Sequence, residues 1–191
     1  MKIDPKECSV RDIKYIIRSA EEHDAKSLSE ARVQIDGETE NMDREQGEGY
    51  IDEAGFLSII KKDTEALNHL FLVADVDGRI AGFARCEGSP LRRLSHKVEF
   101  GVCVLKEFWG YGIGKMCLQE TINWADAQDI KKISLTVLET NDKAIALYRK
   151  LGFETEGVLK YDKRLSDGNY YNTILMGRVA DEPPYGSEEL G

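Results

Sequence analysis

Residues Glu99–Ala125 read EFGVCVLKEFWGYGIGKMCLQETINWA. A β-rich apolar segment passes through Trp109-Gly110-Tyr111-Gly112-Ile113-Gly114-Lys115 straight into an amphipathic helix pattern. A strand that enters a helix through three alternating glycines exposes backbone N–H groups at the helix N-terminus. Such groups, aligned with the helix dipole, bind phosphate. The spacing therefore predicts a ligand with a pyrophosphate over Gly110–Lys115.

Two phosphate loops fail against this stretch. A Walker loop needs Ser or Thr after Gly-Lys to hold magnesium, and Met116 follows Gly114-Lys115. A dinucleotide fingerprint starting at Gly110 needs glycine where Lys115 stands, and one starting at Gly112 needs Gly or Ala where Cys117 stands. The glycines remain compatible with the coenzyme A loop of acetyltransferases: Gln or Arg, two residues, Gly, one residue, then Gly or Ala.

With that loop the chain resembles the GNAT superfamily of N-acetyltransferases. The pattern falls on Trp109, Gly112 and Gly114, with Trp109 where the family has Gln or Arg. The backbone cradle survives that exchange, because any residue supplies it. A second block, Asn141-Asp142-Lys143-Ala144-Ile145-Ala146-Leu147-Tyr148-Arg149-Lys150-Leu151-Gly152-Phe153, resembles the family's Asn…Ala…Tyr…Gly-Phe motif. A strand-like ISLTV segment lies between the two blocks. The resemblance extends over roughly residues 15–179. It implies an α/β fold with one mixed sheet of about six to seven strands flanked by about four helices.

Composition agrees with one globular domain. A length of 191 residues supports a single core and is short for two. Hydrophobic residues at 41% and charged residues at 32% describe such a core under a well-solvated surface. No apolar run approaches the ~20 residues that span a bilayer. The start, MKIDPKECSV, has no apolar signal core, so a cytoplasmic protein is expected. Cys8, Cys86, Cys103 and Cys117 lack metal-ligand spacing and read as reduced thiols, with no metal expected. The net charge of −9 argues against nucleic acid, which calls for a basic face. Expected partners are a small-molecule or peptide amine and, in the assembly, a second copy forming a homodimer; a membrane is not among them.

Read coarsely, the chain alternates. Strands are expected at 15–18, 70–74, 80–86, 97–105, 133–137, 154–161 and 170–178. Helices are expected from an Asp24 cap to about Ile35, then over 53–62, 113–127 and 142–151. Asp77-Gly78 and Ser166-Asp167-Gly168-Asn169 supply turn chemistry. Residues 1–12 read as an N-terminal extension, 13–179 as the domain, and 180–191 as an acidic, disordered tail. Between Asp36 and Glu53 eight acids face one base, Arg44. Alone, the run reads as a solvated loop. The resemblance places the segment beside the acceptor site, where such acids would attract a cationic amine.

The resemblance also assigns the chemistry. An amine with a lysine-like pKa of ~10.4 is almost wholly ammonium at neutral pH, so a base is useful. Glu99 resembles the catalytic glutamate of some members; His96, able to titrate near neutrality, is the weaker candidate. Backbone groups of Val102, Cys103 and Val104, where the family's central strand bulges, would bind the pantetheine amides and the developing oxyanion. Cys103 reads as no nucleophile, because direct transfer needs no acyl-enzyme and no His partner is evident. Tyr148 corresponds to the tyrosine that protonates the departing thiolate. Asn141 reads as a helix N-cap that the resemblance also places against the cofactor arm. Acetyl-CoA is the implied donor, bound by residues 102–104, by 109–115 and by Asn141. Two functions follow from this reading: an N-acetyltransferase, or a catalytically silent acyl-CoA-binding sensor or assembly module. Glu99, Asn141 and Tyr148 together favour the enzyme.

Overall fold

The computed structural model describes residues 2–180. The tail beyond residue 180, expected to be disordered, lies outside the described residues. In chain order the elements are β1 (Lys6–Val10), β2 (Ile13–Ser19), α1 (Ala25–Glu38), α2 (Glu53–Glu65), β3 (His69–Val76), β4 (Arg79–Gly88), β5 (Lys97–Val104), α3 (Ile113–Ala127), β6 (Lys132–Leu138), α4 (Asp142–Lys150), β7 (Glu154–Arg164) and β8 (Tyr170–Val179).

One eight-stranded sheet runs β1-β2-β3-β4-β5-β6-β8-β7. Every neighbouring pair is antiparallel except β5 with β6. The sheet thus has eight strands where six to seven were expected. The additional one is β1, whose sequence KECSV carries little apolar signal. It pairs with β2 through a two-residue turn, Arg11-Asp12.

Helices cover both faces. Leu70, Leu72 and Ala74 of β3 pack with Ile113, Cys117, Leu118 and Ile122 of α3 and with Ile145 and Tyr148 of α4. The alternate residues Phe71 and Val73 pack on the other face with Leu28 of α1 and with Phe56 and Ile60 of α2. Period-two alternation along a strand buried on both faces produces these two cores. The Asp-Gly hairpin turn forms as expected, with Asp77 and Gly78 both at positive φ (51° and 84°). Asp24, in contrast, is no side-chain cap for α1. It is buried, accepts 2.7 and 2.9 Å hydrogen bonds from Arg18, and takes the Glu21 N–H at 2.8 Å. Among the described residues no helix is long and apolar enough to cross a membrane.

The feature that matters for function is a split in the middle of the sheet. β5 pairs with β6 only over Lys97–Glu99, while its antiparallel pairing with β4 continues to Val104. On its other edge β6 pairs with β8 throughout, from Lys132 to Leu138. The β6-facing backbone edge of residues 100–104 is therefore left without a strand partner.

Candidate active site

The split opens two cavities that meet. A groove of about 720 Å³ is lined by Val102, Cys103, Val104, the 109–115 loop apart from Tyr111, Asn141, Lys143 and Tyr148. A smaller cavity of about 300 Å³ takes in Glu99, Gly101, Phe83 and Arg85 on one side and Arg44 and Lys163 on the other. Val102, Cys103, Asn141 and Tyr148 border both, as do Asn41 and Met42 from the segment after α1.

The glycine loop is built to leave N–H groups free. Gly112 is the α3 N-cap at φ +77°, and a glycine cap has no side chain to occupy the first-turn donors. The first bond, Met116 N–H to Gly112 O at 2.9 Å, leaves the amides of Ile113, Gly114 and Lys115 without helical acceptors. A Cβ placed at Gly110 or Gly114 would meet nothing within 4 Å. Tyr111 is anchored from behind, its carbonyl accepting 3.1 Å from the Tyr15 hydroxyl. Trp109 donates its indole N–H to the Val104 carbonyl at 2.8 Å. Its polar atom is thus committed to closing the loop onto the end of β5.

Glu99 lies on the exposed side of β5 and lines the smaller cavity. Among the described residues it has no hydrogen-bond or ion-pair partner. Glu87, opposite it on β4, is by contrast held ionised by Lys62 at 2.7 Å and also accepts from Arg85 at 2.9 Å. His96 is exposed and outside both cavities; its carbonyl accepts from Lys131 and Lys132. Tyr148 is 8% exposed, against Phe153 at 6.0 Å between ring centroids. Burial pushes its phenol up to about 12. Burial also pushes the Cys103 thiol up, so the thiol stays protonated and a poor nucleophile. Asn141 caps α4 as expected, accepting from Ala144 N–H at 3.3 Å.

The acidic run does not gather at the smaller cavity. Of its eight acids only Asp43 lines that cavity, and it is paired with Lys163. Asp36, buried, holds Arg44 through two 3.1 Å hydrogen bonds. Glu38 and Glu40 accept from the backbone of Lys106 and Ser166, Glu48 from that of Glu45, and Asp52 caps α2. The cavity instead collects three cations that sequence reasoning missed: Arg44, Arg85 and Lys163. Arg85 is gripped from below by buried Asp63, at 2.5 Å to Nε and 3.0 Å to Nη2, and Asp63 also faces His69 Nδ1 at 2.7 Å. Strand pairing is the signal that finds Arg85, which sits opposite Gly101 on the face Glu99 shares.

A model of the acetyltransferase (GNAT) family matches residues 37–153. The chain belongs to this family. The L-amino acid N-acetyltransferase AaaT of Escherichia coli (strain K12) is 35% identical over 109 residues, 56% of this chain and 67% of that protein. The spermidine N(1)-acetyltransferase of the same organism is 30% identical over 105 residues, 54% of this chain, and the match spans only 55% of that protein's length. A GNAT-family acetyltransferase structure from Streptococcus pneumoniae is 28% identical, with a TM-score of 0.84 over 87% of this chain and 99% of its own. The family uses acetyl-CoA, and the groove fits it. Gly110 and Gly114 leave room for a diphosphate, the first α3 amides are free to hold it, and the bare edge of β5 can pair with a pantetheine arm.

Proposed function

We propose that this GNAT protein transfers acetyl from acetyl-CoA directly to the primary amine of a small molecule whose amine neighbours an anionic group. The observation that carries the reading is Glu99: a carboxylate without a partner, in a cavity that opens onto the free edge of β5 and onto Tyr148. A sensor or assembly module has no use for an uncompensated carboxylate at that junction.

Acetyl-CoA, when bound, supplies the thioester-activated acetyl group. Glu99 accepts the proton that the incoming ammonium must lose before its nitrogen can attack. Free N–H groups along residues 100–104 are placed to stabilise an oxyanion; loss of one such donor typically costs ~10²–10³ in rate. Tyr148, still protonated well above neutral pH, holds a proton at Oη for the departing sulfur. Asn41 and Met42 line both cavities at the junction.

Acceptor charge follows from the lining. Asp36 fixes one edge of the Arg44 guanidinium and leaves its remaining N–H groups to read a carboxylate, while Arg85, held by both Asp63 and Glu87, adds its charge to the same cavity. This agrees with the substrate named for AaaT more than with a polycation. The test is an amine panel with acetyl-CoA, comparing L-amino acids, their amides and spermidine, on wild type and Glu99→Gln. Expected are a preference for the free carboxylate and a loss of about 10²–10⁴ in kcat/KM for the variant at neutral pH. A preference for spermidine would overturn the acceptor assignment, and full activity of Glu99→Gln would overturn the base.

A further inference from the structure

The groove that takes coenzyme A has few cations for a ligand of several negative charges. Lys115 and Lys143 line it, and Asp142 offsets one of them. Position 109, where the loop pattern places Gln or Arg, carries Trp109 with its N–H committed to Val104. A chain of net charge −9 needs local positive potential at this point to hold phosphate.

The N-terminal β1–β2 hairpin reaches this loop from outside residues 37–153, the part that matches the family model. Tyr15 of β2 bonds the Tyr111 carbonyl, and the Cβ position of Gly112 is 3.7 Å from the Tyr15 hydroxyl and 3.9 Å from Val10 Cγ2. The hairpin turn carries Arg11, whose guanidinium lies over the Tyr111 ring, 5.6 Å from its centroid. Arg11 is exposed and holds positive φ (56°). Among the described residues it has no hydrogen bond or ion pair, so its N–H donors are uncommitted beside the ring.

Resting on the acetyl-CoA reading above, we infer that Arg11 is a cofactor-binding residue. The β1–β2 hairpin supplies a stacked guanidinium that contacts a phosphate of coenzyme A at the Gly110–Lys115 loop and replaces the polar side chain absent at 109. Guanidinium recognises phosphate bidentately, and stacking on Tyr111 lowers the entropy lost on binding. Residues 6–12 thereby belong to the cofactor site.

The test is calorimetry on the full chain with two probes, coenzyme A and pantetheine, which lacks the phosphates. Variants are Arg11→Gly, which suits the positive φ of the turn and so preserves the fold, and Arg11→Lys, which keeps the charge. Expected are a roughly tenfold weaker Kd for coenzyme A in Arg11→Gly, most of it recovered in Arg11→Lys, a shallower dependence of log Kd on log salt without the charge, and unchanged pantetheine binding. Unchanged coenzyme A affinity in Arg11→Gly overturns the inference. So does a loss that Arg11→Lys does not recover and that leaves the salt dependence as in wild type, since that is the signature of a hairpin that only buttresses the loop. Failure of the wild type itself to bind coenzyme A would instead refute the acetyl-CoA reading.

Discussion

Substituting Gly112 by alanine separates the two things that residue does. The added Cβ would stand at ordinary van der Waals distance from Tyr15 and Val10, so alanine meets no clash. It does meet a left-handed backbone at φ +77°, which costs an L-residue about 1–2 kcal/mol. At roughly 2–4 °C per kcal/mol for a chain of this size, the unliganded protein should melt about 2–8 °C lower. The chain can relieve that strain by turning the Tyr111–Gly112 peptide, at the cost of the Tyr111 carbonyl bond to Tyr15. Turning it re-aims the Gly112 N–H at the head of α3. A hydrogen bond to a charged group contributes ~1.5–3 kcal/mol, so losing one weakens coenzyme A at least roughly tenfold. Scanning calorimetry of the apo protein and a coenzyme A titration read the two effects separately. A variant with a lowered melting temperature and wild-type affinity would show that the strain is real but that the loop holds no phosphate, and the assignment of Gly110–Lys115 would fall.

Tyr148→Phe should lower kcat much more than it raises KM for acetyl-CoA, because the phenol acts on the leaving sulfur; full kcat would return Tyr148 to a packing role. The same residue predicts a pH effect. The phenol ionises near 10 in the unfolded chain and near 12 in the fold, so the stability it contributes is complete below pH 10 and is lost as pH rises from 10 to 12. Tyr15, pushed up to about 12 by burial, titrates in the same window, so urea midpoints for Tyr148→Phe should fall less steeply there but not become flat. Asp63→Asn should destabilise the protein by about 1–3 kcal/mol in urea, since it removes the buried carboxylate shared by Arg85 and His69 while Arg85 keeps Glu87; a loss under about 0.5 kcal/mol, the size of a neutral surface change, would mean that solvent already screens the network.

The parts of the molecule legible in the sequence are those with local causes. The span of α3 could be read because a glycine cap precedes a clean apolar stripe, and the β3–β4 hairpin because Asp77-Gly78 suits its turn. The glycine-capped entry to α3 was legible for the same reason: it is one contiguous stretch of backbone. β1 was illegible because it is a five-residue edge strand whose apolar side is only Cys8 and Val10, too short a pattern to stand out. Asp24 looked like a cap because its type and place fit one, but a guanidinium six residues upstream outcompetes an N–H for a buried carboxylate.

The acceptor end shows where reading by composition stops. Counting eight acids against one base between Asp36 and Glu53 suggests a negative mouth, yet charge acts through position, and a carboxylate already bonded to a backbone amide or a guanidinium projects little field beyond it. Asp36 is the clearest case. It is counted as one of the acids, but its effect is to turn Arg44 toward the cavity and so to add a cation there. Asp63 does the same for Arg85 from a helix twenty-two residues away in sequence. These two buried acids therefore each fix a base at the cavity wall, and among the described residues that line it the carboxylate left without a partner is Glu99. On the function proposed above, an ammonium would meet the Glu99 carboxylate and a neighbouring carboxylate the N–H groups of Arg44 that Asp36 leaves over. That asymmetry depends on which acid meets which base in three dimensions.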